Sequence, residues 1–158
     1  MRVEVRKATR DDAGVIADFA FKLVEQHLTY DDTRFSRIAD RTAMANFYAG
    51  QTSSENASVL VAESDASVVG FAFLQYEPVL YAELATKVMW LHDIFVEDTA
   101  RGRGIGNKLI DAVAAEAKRF GAKKVLLSVA AKNVAAQGFF GHKGFQTTMH
   151  EMMLVVGE

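Results

Sequence analysis

A run of alternating glycines, Arg101-Gly102-Arg103-Gly104-Ile105-Gly106, constrains this chain more than any other segment. An apolar stretch ending at Val96 precedes the run, and a helical pattern begins at about Asn107. Glycine lets the backbone turn tightly and approach a ligand closely, so that successive N–H groups can point at phosphate oxygens. The first turn of the following helix would add unpaired N–H groups and the positive end of its dipole. The segment therefore predicts a loop that binds an anion.

Two well-known phosphate-binding loops do not fit the run. A nucleoside-triphosphate loop ends in Gly-Lys-Ser or Gly-Lys-Thr, whereas this run continues as Gly106-Asn107-Lys108. A dinucleotide fingerprint opens a βαβ unit, and here the third glycine comes one position too early and the motif lies late in the chain. The anion must belong to another class of ligand.

Composition excludes several further classes of protein. The 158 residues are enough for one ordinary domain, so we predict a single domain over residues 1–158. A net charge of −2 creates no general attraction for nucleic acid or an anionic membrane, so the anion site must be local. The absence of cysteine excludes a disulfide scaffold, a thiolate zinc site and a cysteine nucleophile. With no signal peptide and no apolar stretch near the ~20 residues of a membrane span, we expect a cytoplasmic protein that does not enter membranes.

Hydrophobic periodicity predicts the element order β-α-α-β-β-β-α-β-α-β. A first strand near residues 3–5 precedes a helix that starts around Thr9 to Asp12 and ends near His27. A loop is predicted over 27–32, a second helix over 34–50, and Pro78 is expected to end the third strand. The remaining predicted elements are a hairpin over 59–62 and 68–74, a strand over 87–96, a helix from 107 to Gly121, a strand over 125–129, a helix over 134–143 and a last strand over 147–156.

On these residues the chain resembles the Gcn5-related N-acetyltransferase (GNAT) family. The family's pyrophosphate loop, Gln/Arg-x-x-Gly-x-Gly/Ala, is matched by Arg101, Gly104 and Gly106, while residues 91–96 resemble its fourth strand and residues 133–145 its next landmark. The resemblance covers essentially the whole chain and is weakest before Val59. It implies an α/β fold, more closely an α+β mixed sheet, in which the central strands splay around acetyl-CoA. The fourth strand most resembles that of the diamine/thialysine acetyltransferase branch.

The resemblance also implies which residues bind acetyl-CoA. Backbone groups of Ile94, Phe95 and Val96 would pair with the pantetheine amides as if the cofactor were an added strand. The pyrophosphate would be held by Arg101, Gly102, Arg103, Gly104, Ile105, Gly106 and Asn107, mainly through backbone N–H groups. Arg103 either contacts the ligand or is a solvated surface residue. Asn133 would bond pantetheine, cap its helix, or do both, and the small Ala136 would let the cofactor arm lie close.

Phe140 is the main departure from the family pattern. Many members have tyrosine there, and its hydroxyl protonates the departing thiolate of coenzyme A. Phenylalanine keeps the ring and removes that hydroxyl, so the general acid is in doubt. General acid assistance typically contributes ~10²–10⁴ in rate, so its loss would slow turnover without forbidding it. Water or His142 could substitute.

His92 is the candidate general base, because a histidine with a pKa near ~6.5 accepts protons at cellular pH. The alternative is a buried histidine bonded to a backbone carbonyl. Strand alternation predicts that Asp93 points to the opposite face of the sheet from His92. The candidate acceptor-binding residues are His27, Tyr30, Asp31, Asp32, Glu77 and His92. The four histidines are scattered, so we predict no metal site.

The resemblance implies transfer of an acetyl group from acetyl-CoA to a primary amine of a small molecule, by direct attack in a ternary complex. It also implies a homodimer. Two alternatives remain open: acetylation of a protein N-terminus or lysine, and an acyl-CoA-binding sensor that has lost turnover. The basic cluster of Lys118, Arg119, Lys123 and Lys124 lacks interleaved aromatic residues, so we expect no nucleic-acid partner.

Overall fold

The computed structural model describes residues 2–158 and contains one five-stranded mixed sheet. The strands lie in chain order across the sheet, the first four antiparallel and the fifth parallel to the fourth. They are β1 (Val3–Lys7), β2 (Ala57–Ser64), β3 (Ser67–Leu80), β4 (Ala85–Val96) and β5 (Lys124–Leu126). The helices are α1 (Ala13–Tyr30), α2 (Arg41–Gln51), α3 (Ile105–Phe120) and α4 (Val134–His142). This architecture confirms the predicted α+β mixed sheet.

Alternating apolar side chains of β2 and β3 divide the core into two layers. Val61 and Phe71 pack with Phe19 of α1 on one face of the sheet. Leu60 and Ala72, one position away on each strand, pack with the α3 side chains on the other face. Because successive strand residues point to opposite faces, one pair of strands supplies both layers. The sheet is therefore covered by α1 and α2 on one side and by α3 and α4 on the other.

The first helix starts where predicted but ends later. The backbone N–H of Thr9 donates to the Asp12 carboxylate at 2.7 Å, which fixes the entry into the helical segment. The loop predicted over 27–32 is wrong for residues 27–30 and confirmed only at residues 31 and 32, because α1 continues to Tyr30. In this last turn the His27 ring Nδ1 lies 2.7 Å from the Leu23 carbonyl oxygen, and Gln26 donates to the Tyr30 hydroxyl at 2.8 Å.

The second helix begins seven residues later than predicted, at Arg41. The Asp40 carboxylate accepts a hydrogen bond from the backbone N–H of Ala43 at 2.8 Å and so acts as the N-cap. The apolar residues Phe35 and Ile38, whose spacing suggested a helix, lie in the segment before this cap. Apolar spacing alone could not distinguish a helix from a loop that lines a cavity.

The predicted hairpin of β2 and β3 is confirmed, but Pro78 does not end β3. Pairing with β2 stops at Gln75, and β3 continues alongside β4 to Leu80. Beyond Gln75, β3 is an edge strand on the β2 side, where a proline without an N–H is tolerated. The longer β3 therefore projects with β4 beyond the rest of the sheet.

Two predictions for the C-terminal third are wrong. β5 ends at Leu126 instead of residue 129, and residues 147–156 form no strand. Within residues 2–158, no backbone hydrogen bond involves residues 147–156, and this segment is exposed. A strand exists only where a neighbouring strand pairs with it, and no strand of the described residues pairs with this segment. The Glu151 side chain of this segment accepts from Arg34 Nη2 at 3.1 Å.

Candidate functional site

The sheet opens between β4 and β5. Parallel pairing joins only Val88 to Lys124, Met89 to Val125 and Trp90 to Leu126. After Trp90 the two strands separate, which leaves the β5-facing edge of β4 unpaired over its last six residues. A cavity of about 1290 Å³ lies at this opening and extends to the α1 and α2 side of the sheet.

One half of the cavity is bounded by the glycine loop and the start of α3. Gly102 and Gly104 have φ angles of +79° and +74°, a left-handed conformation that favours glycine. The first hydrogen bond of α3 runs from Lys108 N–H to the Gly104 carbonyl at 3.1 Å. The backbone N–H groups of residues 105–107 precede that bond and so remain available to an anion.

Gly106 has a different role from the two left-handed glycines. It lies in the first turn of α3 with an ordinary helical φ, and a Cβ added there would come within 3.2 Å of the Phe139 ring. Glycine at this position therefore permits close packing of α3 against α4. Both helices line the cavity at this contact, Gly106 from α3 and Phe139 from α4.

The two arginines of the loop are placed differently. Arg101 lines the cavity, donates from Nε to the Val96 carbonyl at 3.1 Å and pairs with Asp98 at 3.1 Å. Arg103 is not among the residues that line the cavity. The remaining predicted cofactor residues all line it, namely Ile94, Phe95, Val96, Gly102, Gly104, Ile105, Gly106, Asn107, Asn133, Ala136 and Phe140.

Helix α4 forms another wall of the cavity. The Asn133 side-chain oxygen accepts from Ala136 N–H at 3.1 Å, so Asn133 is the N-cap of α4 and also faces the cavity. The Phe140 ring is buried, with the rings of Phe139 at 5.3 Å and Phe145 at 5.6 Å. His142 is exposed at the end of α4 and does not line the cavity.

A β-bulge in β4 sets the position of His92. Phe73 of β3 pairs with Asp93, and the next residue, Leu74, pairs with Leu91, so His92 is the extra residue. The prediction that Asp93 and His92 point to opposite faces is wrong, because strict alternation fails at a bulge. Both side chains lie on the α1 and α2 face: Tyr48 of α2 donates to Asp93 at 2.8 Å, and the His92 ring lies 5.4 Å from Phe73.

Burial shifts the pKa values of His92, Asp93 and Tyr48. Partial desolvation lowers the pKa of His92, against the opposing charges of Asp93 and Glu77, which favours the neutral imidazole. Burial raises the pKa of Asp93, while the Tyr48 hydrogen bond and the nearby histidines His92 and His27 oppose that shift. The pKa of Tyr48 is raised by burial and by the Asp93 charge, so Tyr48 stays a hydrogen-bond donor.

The sequence profile of the family described as "Acetyltransferase (GNAT) family" matches residues 22–145. This chain belongs to the GNAT family. It is 30% identical over 138 residues to an uncharacterized N-acetyltransferase of Archaeoglobus fulgidus, covering 87% of this chain and 89% of that protein. The GNAT family membership makes the protein an acetyltransferase, with acetyl-CoA as its cosubstrate.

Solved structures share the fold of this GNAT protein. A mutant of the BH1408 protein from Bacillus halodurans superposes with a TM-score of 0.81 at 20% identity, covering 97% of this chain and 99% of that one. The aminoglycoside N-acetyltransferase AAC(6')-Iy, solved in complex with CoA, has a TM-score of 0.81 at 17% identity, covering 98% and 95% of the two chains. At these identities the likeness concerns the fold.

The residues of this GNAT chain fit acetyl-CoA. The left-handed glycines, the available N–H groups at the start of α3 and the unpaired edge of β4 all face one cavity. The first two suit a diphosphate, and an open strand edge suits the amides of pantetheine. Acetyl-CoA supplies the activated acetyl group as a thioester.

The other half of the cavity holds some of the predicted acceptor residues but not all. His27, Tyr30 and His92 line it, whereas Asp31, Asp32 and Glu77 do not. The Asp31 carboxylate instead accepts the backbone N–H groups of Thr33 and Arg34, each at 3.0 Å, and shapes the turn after α1. Sequence reasoning missed Phe47 and Tyr48, which line this half from α2, because they follow the ordinary apolar spacing of a packed helix.

No helix within residues 2–158 is long and apolar enough to cross a membrane. Over the same residues, no three histidine, cysteine, aspartate or glutamate side chains are grouped closely enough to hold a metal ion.

Proposed function

We propose that this protein transfers the acetyl group of acetyl-CoA to a primary amine of a small molecule by direct attack in a ternary complex. One observation carries the proposal. The bulge at His92 puts a neutral imidazole in the cavity between the available anion-binding groups of the glycine loop and a separate half lined by α1 and α2. That arrangement suits a base standing between two substrates.

In the proposed reaction His92 takes a proton from the acceptor ammonium or from the attacking amine. The amine nitrogen forms a bond to the thioester carbonyl carbon, the carbon–sulfur bond breaks, and coenzyme A leaves as the thiolate. An imidazole whose pKa is lowered is unprotonated at neutral pH, as a general base must be. Unpaired N–H groups of the β4 edge are suitable donors to the carbonyl oxygen during attack.

The half of the cavity bounded by the glycine loop and the start of α3, which we call the cofactor half, would act mainly through its backbone. We propose that Ile94, Phe95 and Val96 bind the pantetheine arm and that residues 101–107 bind the diphosphate. Asn133 and Ala136 would flank the arm from α4, and Phe140 would pack near the thioester. Phe140 has no hydroxyl, so we assign the proton that neutralises the leaving thiolate to water.

A small acceptor is favoured over a protein chain. The other half of the cavity, which we call the acceptor half, is lined by side chains from α1, from residues 35–39 and from α2. These side chains narrow the acceptor half on several sides. The diamine/thialysine branch that β4 resembles would use a cationic acceptor. We propose the broader class, a primary amine, with His27, Tyr30 and His92 among its contacts.

Release of coenzyme A, measured in steady state against a panel of amines, tests this function. We expect release that depends on the amine, with mass spectrometry identifying the N-acetyl product. Tight binding of coenzyme A with no release above hydrolysis for any amine would contradict the proposal and favour the sensor alternative. Turnover of peptides in preference to small amines would favour a protein acceptor.

We also propose that the protein is a single domain that acts in the cytoplasm as a homodimer. The C-terminal segment supports the dimer. Met152, Leu154 and Val156 on one side of this segment are 92%, 84% and 90% exposed. Met153 and Val155, on the other side, are also largely exposed. A segment that is apolar on both sides is typical of a strand buried within a sheet.

The open edge of β5 is a suitable partner for that segment in a second copy. Within residues 2–158, β5 pairs with β4 alone, and no strand pairs with the C-terminal segment. We expect light scattering to give twice the chain mass and hydrogen exchange to show protected amides over 147–156. A protein of single-chain mass whose amides over 147–156 are unprotected would contradict the proposed pairing of this segment with β5 of a second copy. A variant with Met152→Lys and Leu154→Lys should become monomeric, while Thr148→Lys is its control.

A further inference from the structure

We infer that the acceptor is a monoamine with an aromatic or branched aliphatic body, and that diamines and polycations are poor substrates. This inference rests on the proposed function, because it concerns the acceptor half of the same cavity. It goes further by assigning the chemical class of the acceptor from the side chains that would contact it.

The acceptor half contains little negative charge. Among the described residues that line the cavity, Asp93 is the only carboxylate. It already accepts the Tyr48 hydroxyl at 2.8 Å, and burial raises its pKa, so it is a weak anchor for additional cations. A polycation placed here would lose the hydration of each ammonium group without a carboxylate to replace it. One amino group, positioned beside His92, is what the half can accommodate.

Aromatic rings line the acceptor half next to His92. The Phe73 ring lies 5.4 Å from His92, and the Phe47 ring meets Phe73 edge-on at 5.5 Å and Tyr48 edge-on at 5.2 Å. These rings form a continuous wall that begins at the candidate base and runs outward along α2. A planar or branched apolar body attached to an amine near His92 would lie along this wall.

Phe47 is a large apolar residue that is left exposed in the acceptor half. Its side chain is 48% exposed although it lies next to buried Tyr48, and the neighbouring rim residue Ile38 is also exposed. Large apolar side chains left uncovered at the mouth of a cavity mark a place where a ligand removes them from water. Phe47 is therefore the residue whose contact with the acceptor body is expected to contribute most to selection.

Competing amines give the direct test. We would compare 2-phenylethylamine, cyclohexylmethylamine, 1,4-diaminobutane and kanamycin at saturating acetyl-CoA. We expect kcat/KM for the two apolar monoamines to exceed that for the diamine and kanamycin by at least tenfold. A higher kcat/KM for the diamine or for kanamycin would overturn the inference and leave the proposed transferase function intact.

Phe47→Ala supplies the matched test of the wall. Loss of about half a ring of contact should raise the KM for 2-phenylethylamine roughly tenfold, with the KM for acetyl-CoA unchanged. Phe21→Ala is the control, because Phe21 is a similarly exposed ring of α1 that does not line this cavity. Equal effects of both substitutions would contradict the assignment. Ala43→Asp, which adds a carboxylate to the lining, should raise relative kcat/KM for 1,4-diaminobutane.

Binding can be measured without turnover, which separates the two proposals. Trp90 is the only tryptophan, and its ring stacks at 6.1 Å from His92, so its fluorescence should report an acceptor in this half. Saturable quenching by 2-phenylethylamine, weakened by Phe47→Ala, would support the ligand class even if no amine were acetylated. The absence of such a response, in a protein that acetylates other amines, would overturn it.

Discussion

The two halves of the cavity are built in different ways. The cofactor half presents backbone groups: two left-handed glycines, the first turn of α3 and the open edge of β4. The acceptor half presents side chains, chiefly rings from α1, α2 and β3. Backbone recognition depends on a few glycines at fixed spacing and so leaves a mark in the sequence. Side-chain recognition depends on which residues three separate elements bring together.

The bulge at His92 lies at the boundary between the two halves. It turns His92 and Asp93 to the same face of β4, toward the acceptor half, while the following residues of β4 remain available to the cofactor half. One irregularity in one strand therefore positions the proposed base between the two halves of the cavity. Substitutions should consequently separate into those that change the acceptor step and those that change cofactor affinity.

His92→Gln should give the largest effect. Removal of a general base typically lowers rate by ~10²–10⁴, and we expect this loss in kcat with little change in the KM for acetyl-CoA. The pKa of His92 is lowered, so wild-type activity should be retained down to mildly acidic pH and fall when the imidazole becomes protonated. The variant should lack this acid limb. Its control is His142→Gln, since His142 lies outside the cavity, and a wild-type pH profile in His92→Gln would refute the base assignment.

Gly104→Ala should act on the other half. A non-glycine residue in the left-handed conformation costs about 1–2 kcal/mol, so acetyl-CoA affinity should fall roughly 5- to 30-fold if binding requires this geometry. Relative rates among acceptors should stay unchanged. The comparison variant is Gly138→Ala, in α4, where a Cβ meets nothing within 4 Å and φ is negative. Unaltered affinity in Gly104→Ala, measured by calorimetry, would argue against a backbone cradle.

Much of the cofactor half could be predicted from the sequence. The tight turn at Gly102 and Gly104 and the N-cap at Asn133 depend on short-range rules and lie where the sequence predicts them, while α3 begins at Ile105, two residues before the predicted start at 107. Gly106 is a partial exception, because its packing against Phe139 is a contact between two helices. That contact is invisible to a pattern confined to six residues.

The acceptor half and the sheet edges could not be predicted as well. The bulge reverses the expected side of Asp93, and strand alternation offers no sign of it. The segment holding Phe35 and Ile38 has helical spacing, yet it lies outside α2 because Asp40 caps that helix later. The C-terminal segment has strand-like composition, but no strand within residues 2–158 pairs with it. The bulge and the C-terminal segment depend on strands distant in the sequence, whereas the start of α2 is set by a cap only a few residues from Ile38.

Phe140→Tyr should have a smaller effect, at the boundary of the two halves. Restoring a hydroxyl at Phe140, which we propose packs near the thioester, should raise kcat by roughly tenfold at most, because a thiolate with a pKa near ~8.5 is already a fair leaving group. The KM values for acetyl-CoA and for the amine should change little. Phe145→Tyr is the control, since Phe145 packs against Phe140 at 5.6 Å but does not line the cavity. No rise in kcat would indicate that thiolate protonation does not limit turnover.

Tyr48→Phe should give the smallest change and concerns the acceptor half alone. The Tyr48 hydroxyl helps to keep Asp93 ionised, and the Asp93 charge in turn raises the pKa of His92. Without the hydroxyl the pKa of Asp93 should rise further, Asp93 should spend more time neutral, and the pKa of His92 should fall. The acid limb of kcat/KM should therefore move to lower pH, with kcat at neutral pH nearly unchanged. Tyr76→Phe, on β3 against Phe120, should leave the limb in place; a shift to higher pH in Tyr48→Phe would mean that Asp93 does not act on His92 in this way.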